Sequence, residues 1–166
     1  MANTWLTNDK LFLKYGPTLA VPNVAGEEDL DGPLHCISIK LDLTKVTATD
    51  GSYYVSDQVF LPKNARIAQV DVVVQTAATG TNAVLNLGLV NTDRATEIDY
   101  NGLIAALPVT SMTPAGTTTR LNTGSTYAGA LIGATNSTVG YIVADYDTAA
   151  FTAGVVYIRV YYYFNA

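Results

Sequence analysis

From Leu34 onward, apolar residues recur at every second position, and this alternation is what most limits the folds open to the chain. Ile37, Ile39, Leu41 and Leu43 are separated by Ser38, Lys40 and Asp42. Ala68, Val70, Val72 and Val74 oppose Gln69, Asp71 and Gln75, and Leu85, Leu87 and Leu89 are separated by Asn86 and Gly88. A period of two places all apolar side chains of a strand on one face, so each such segment needs a second layer to cover that face.

Turn chemistry sits between these segments. Thr49-Asp50-Gly51-Ser52, Pro62-Lys63-Asn64-Ala65 and Thr79-Gly80-Thr81-Asn82 carry the Gly, Pro, Asn and Asp residues that reverse a chain. Strands are predicted near 34–43, 53–61, 66–76, 83–90, 139–146 and 155–164, with two short ones near 109–112 and 117–121. One segment breaks the pattern: Tyr100, Leu103, Ile104 and Leu107 fall at i, i+3, i+4 and i+7 between Asp99 and Pro108, which predicts a short helix over residues 100–107. About eight strands with turns between them and no long helices predict an all-β fold, an antiparallel β-sandwich of jelly-roll type. Residues 1–32 lack a sustained period and carry the acidic run Glu27, Glu28, Asp29, Asp31; they are expected to form an extended N-terminal arm on a sandwich domain of residues 33–166.

Charge excludes whole classes of partner. Only 14% of residues are charged, with 14 acidic against 9 basic and a net charge of -5, whereas an average globular chain carries about 25%. Binding to a phosphate backbone needs clustered Lys and Arg, so nucleic acid is not expected as a partner. The charge-free interval Leu121–Ala144 is long enough to span a bilayer as a helix, but it holds four glycines and eight Asn, Ser or Thr residues, so no membrane span is expected. The start of the chain shows no basic and apolar export signal, and the lone Cys36 cannot form an intrachain disulfide; synthesis in a host cytoplasm is the expectation.

Catalytic parts are scarce. His35 and Cys36 are adjacent, and neighbouring side chains on a strand point to opposite faces, so they are expected to be a small buried Cys beside an unreactive His rather than a dyad. Asp29 and Asp31 fall short of a calcium loop because the third acidic position and the terminal Glu are missing. Asp145 and Asp147 are two apart, so they share a face if the strand continues and could hold a hard cation or act as an acid pair, although solvated turn carboxylates are the commoner outcome at both places. Asn136-Ser137-Thr138 matches a glycosylation acceptor and is expected to be accidental. No enzyme activity, metal or cofactor is expected.

The aromatic residues stand out instead. Along 155–164, Val156, Ile158, Val160, Tyr162 and Phe164 take one face, while Tyr157, Arg159, Tyr161 and Tyr163 take the other. Tyr and Arg combine large contact area with a polar end and are enriched where proteins meet, so this second face is the candidate oligomer interface. A surface of hydroxyls, amides and tyrosines is also dehydrated at less cost than one bearing fixed charges. On the arm, Trp5, Leu11, Phe12 and Leu13 are the candidate apolar anchors onto a partner.

Lys14-Tyr15-Gly16, the turn Leu61-Pro62-Lys63-Asn64-Ala65-Arg66-Ile67, the stretch Asp93 to Tyr100 and the run Asp145 to Gly154, together with 22 threonines and Ala/Gly/Thr loops, carry a resemblance. The sequence resembles small structural proteins of tailed-phage virions, those that decorate or cement the capsid shell. The resemblance implies a β-sandwich or jelly-roll protein on the outer capsid surface of a virion. Its partners would be the major capsid protein and itself, as a homo-oligomer expected to be a trimer. It implies no catalytic residues. The alternative is a glycan- or receptor-binding β-sandwich module of a phage tail fibre or surface protein, using aromatics such as Tyr127 or Tyr141.

Overall fold

The computed structural model describes Thr4–Leu6, Phe12–Lys14 and residues 34–50, 53–55 and 59–164. The chain divides into two units, Met1–His35 and Cys36–Ala166. In the first, β1 (Thr4–Leu6) pairs antiparallel with β2 (Phe12–Lys14), Trp5 opposite Leu13. The side chains of Trp5, Phe12 and Leu13, and all of Leu11, lie outside the described residues, as do Asp29 and Asp31.

Among the described residues nine further strands follow, all but the first residue of β3 in the second unit: β3 (His35–Asp42), β4 (Tyr53–Tyr54), β5 (Phe60–Leu61), β6 (Ala65–Thr79), β7 (Val84–Asn91), β8 (Glu97–Pro108), β9 (Thr118–Asn122), β10 (Gly140–Asp147) and β11 (Ala153–Phe164). One sheet runs β3-β11-β6-β9; the other runs β4-β10-β7-β8, with β5 pairing β10 along the same edge as β4. If β4 and β5 count as one position, the eight positions are ordered 1-8-3-6 and 2-7-4-5. Every neighbouring pair except β7–β8 thus joins strands distant in sequence, the interlocked Greek-key arrangement of a jelly roll. Among the described residues, no helix is long and apolar enough to cross a membrane.

The alternating residues build the core. Ile39 and Leu41 of β3, Val70, Val72 and Val74 of β6, Leu85, Leu87 and Leu89 of β7, Ile142 and Ala144 of β10, and Val156, Ile158 and Val160 of β11 are all buried in one cluster. Ala68 departs from the expected face. Tyr161 and Tyr162 of β11 pair with Gln69 and Ile67, so Ala68 is an extra residue, and the bulge lets Ile67 and Val70, three apart, both point inward.

The predicted helix at 100–107 is not formed; these residues belong to β8. Leu89 pairs with Asp99 and Leu87 with Ile104, so two steps on β7 face five on β8, and Leu85 then pairs with Leu107 across another irregularity. The excess residues arch out of the ladder. That spacing puts Leu103, Ile104 and Leu107 all in the core at a helix-like interval. Residues 109–112, expected as a strand, form a 3-10 turn, and the expected strand over 53–61 is the separate pair β4 and β5.

The segment 123–136 straps the two sheets together. Leu131 N–H donates to the Gly102 carbonyl (2.8 Å) and Ala105 N–H to Tyr127 (3.0 Å), along the outer edge of β8. Gly133 N–H donates to Ile67 (2.7 Å) and Asn136 N–H to Ala65 (2.8 Å), beside β6 in the other sheet. The strap thereby pairs backbone groups that an open edge would leave exposed to other chains. Asn136 is 2% exposed and its side-chain amide donates to the Thr138 carbonyl, so the glycosylation match falls on a buried residue.

Candidate functional site

Asp145 lies opposite Asn86, and Asp147 opposite Val84, in the β10–β7 register. Both carboxylates therefore project from the outer face of their sheet, as the spacing predicts. Asn86 holds them together: Nδ2 donates to Asp145 Oδ1 and to Asp147 Oδ2, each at 2.8 Å. Its Oδ1 accepts from the N–H of Ala106, also at 2.8 Å, which fixes a β8 residue at φ 53°. One 7%-exposed amide thus fastens β10, β7 and the irregular stretch of β8.

The arch of β8 forms the roof. A Cβ on Gly88 would lie 2.0 Å from the Asp99 carbonyl oxygen, so the arch crosses directly over β7 at the one residue without a side chain there. Tyr100 and Asn101 come with it, and with Asp50, Asn86, Glu97, Asp145 and Asp147 they line a pocket of about 240 Å³. Carboxylate oxygens of Asp50, Asp145 and Asp147 lie within 4.8 Å of one another. These three could offer the oxygen ligands that hard cations take. The sequence pointed to Asp145 and Asp147, but not to Asp50, Asn86 or Glu97. Asp50 reads as a turn residue, Asn86 as a routine outward polar position, and Glu97 reaches the pocket only through the arch.

The aromatic face lies on the other sheet. Tyr157, Arg159, Tyr161 and Tyr163 of β11 sit opposite Val73, Asp71, Gln69 and Arg66 of β6, and Asp71 in turn sits opposite Arg120 of β9. Tyr157, Tyr161 and Tyr163 are half-buried and Arg159 is exposed. Asp71 is only 3% exposed, although it is on the outer face. It accepts from Arg120 Nε (3.1 Å), Arg120 Nη2 (3.3 Å) and Gln69 Nε2 (2.9 Å). The Asp71 carboxylate holds the Arg120 guanidinium above its ordinary pKa, first by hydrogen bonding and then by charge.

The remaining expected residues are scattered. His35 and Cys36 are both exposed at the start of β3, so the expectation of a buried Cys is corrected: this end of the strand lies beyond the buried stretch that begins at Ile39. Tyr127 packs on the core. Tyr141 lies opposite the exposed Phe60 and beneath the Arg94 guanidinium, 4.9 Å from the ring centre.

This geometry defines a jelly roll with an acidic pocket on one outer face and a tyrosine–arginine surface on the other. Two solved structures share the fold. A chain in the acidic stable capsid structure of Helicobacter pylori bacteriophage KHP30 matches with a TM-score of 0.52 at 16% identity, covering 80% of this chain and 89% of that one. A chain in the capsid of Ralstonia phage GP4 matches with a TM-score of 0.52 at 18% identity, covering 81% and 86%. No protein-family model matches the sequence, and no curated protein does.

Proposed function

We propose that the protein is a non-enzymatic component of a phage virion that binds the outside of the capsid and stabilises the shell, as decoration or cement proteins do. The observation that carries this reading is the jelly roll itself, shared over four-fifths of the chain with chains found in two phage capsids. The partners are the major capsid protein and further copies of the chain, associating as a homotrimer. Self-association uses the face of Tyr157, Arg159, Tyr161 and Tyr163, and Trp5, Leu11, Phe12 and Leu13 anchor the arm on the shell. Contacts repeated around an oligomer give avidity without any single strong site.

The test is co-sedimentation of the purified chain with empty shells of its phage, followed by thermal disruption of the decorated shells. Saturable binding at a fixed copy number and a higher disruption temperature are expected. A chain that stays in the supernatant, or binds without raising that temperature, overturns the reading. Glycan binding is the second reading, favoured by the exposed Phe60 beside Tyr141. Saturable binding to sugars, lost in Tyr141→Ala, would put it in place of the first.

A further inference from the structure

The two outer faces differ in charge. On the β3-β11-β6-β9 face, Arg159 and Lys40 are exposed, Arg66 is half-buried and Arg120 is paired with Asp71, so that with Asp42 at the end of β3 four basic groups stand against two acidic ones. On the opposite face, Asp50, Glu97 and Asp147 are exposed around the buried Asp145. Arg94 lies over Tyr141, six residues from Asp147 along β10 and away from the pocket lining.

A face with this basic excess meeting its own copy would set Arg159, Lys40 and Arg66 against like charges, which costs affinity. The same face meeting the acidic pocket of another copy is complementary. We propose that copies of this chain associate head to tail, the tyrosine–arginine face of one seated on the acidic pocket of the next. Arg159 supplies the cation, and the flanking tyrosines supply the contact area. Four strands at about 4.8 Å spacing and eight residues at about 3.3 Å give this face roughly 500 Å² in plan, of the order that each partner gives to a standard interface, about 800 Å². The contact is heterologous: each copy uses two different surfaces, and the rotation between copies decides whether a ring closes.

This rests on the self-association part of the reading above, and the experiment separates it from shell binding. Sedimentation velocity of the full chain at about 0.05 M and 0.5 M salt shortens the Debye length from roughly 14 Å to 4 Å. Species heavier than monomer are expected at low salt and lost at high salt. Arg159→Glu and Glu97→Lys, both at exposed positions, should each give a monomer that still unfolds cooperatively, with a slightly lower thermal midpoint because the first sets a carboxylate opposite Asp71 and the second removes the acceptor of the Tyr100 N–H. Mixed in equal amounts they should give a dimer that grows no further, because each variant keeps only one working face.

A wild-type chain that is monomeric at low salt, an oligomer indifferent to salt and to both substitutions, or a mixture that stays monomeric overturns the proposal. A capped dimer from a chain that ignores shells leaves this contact standing and overturns the shell reading. Shell binding by a monomeric chain does the reverse.

Discussion

Asn86 carries more of the candidate site than any carboxylate in it. Its amide donates to two acidic side chains and its carbonyl oxygen takes up the N–H of Ala106, which the irregular pairing of β8 leaves outside the ladder. Removing it leaves a buried Asp145 facing Asp147 without the shared donor and orphans a backbone N–H. Hydrogen bonds to charged groups contribute about 1.5–3 kcal/mol each and neutral ones about 1. Asn86→Ala should therefore cost about 4 kcal/mol, the low end of that sum because Asp147 is exposed and can turn to water, seen as a lower urea midpoint with an unchanged slope. A loss below about 1 kcal/mol would mean that the amide does not fasten the three strands. Ala106 is the companion case. With φ at 53° it occupies the left-handed region that costs a side chain about 1–2 kcal/mol, and the arrangement persists because Asn86 selects it.

At the scale of elements, what was legible in the sequence is the set of strands whose apolar residues alternate without interruption. Leu85, Leu87 and Leu89 predict β7, and Val156, Ile158 and Val160 predict β11, because alternation has one structural cause when a single face is buried. β8 was illegible for the opposite reason. Its extra residues give Leu103, Ile104 and Leu107 a helical spacing, and only a partner strand reveals that the excess arches over Gly88. The pocket inherits that illegibility, since Glu97, Tyr100 and Asn101 reach it by way of the arch.

The turn between β7 and β8 is set locally and gives a pH prediction. Asp93 accepts from the Thr96 hydroxyl (2.5 Å) and from the N–H groups of Ala95 (2.9 Å) and Thr96 (2.8 Å), which hold its carboxyl below the usual range, the Thr96 hydroxyl first. Asp42 is lowered in the same sense by Thr44. A carboxyl lowered in the folded state contributes stability that is present above its unfolded pKa, about 3.9, and is lost as pH falls through the folded value. The urea midpoint should thus fall below about pH 4, and less so in Asp93→Asn, which keeps an acceptor but does not titrate there. Equal acid losses in the two chains would show that the turn contributes nothing.

Across the whole molecule, the buried apolar cluster of the described residues runs from Ile39 to Val160 and draws on both sheets. A jelly roll needs its eight strand positions to cover both inner faces, and β3 to β11 supply them all. A chain that keeps all of these positions is expected to fold without the first 33 residues. A chain beginning at Leu34 should unfold cooperatively with a thermal midpoint within about 3 °C of the full chain, a difference of less than about 1 kcal/mol for a domain of this size. If Trp5, Leu11, Phe12 and Leu13 anchor the protein on a shell, that same truncation should abolish or greatly weaken co-sedimentation with shells and leave the salt-sensitive association of copies intact. A truncated chain that melts far below the full one would show that the first residues complete the fold. One that melts normally and still coats shells would move the shell contact onto the sandwich, where the exposed Phe60 and the acidic pocket are the next surfaces to change.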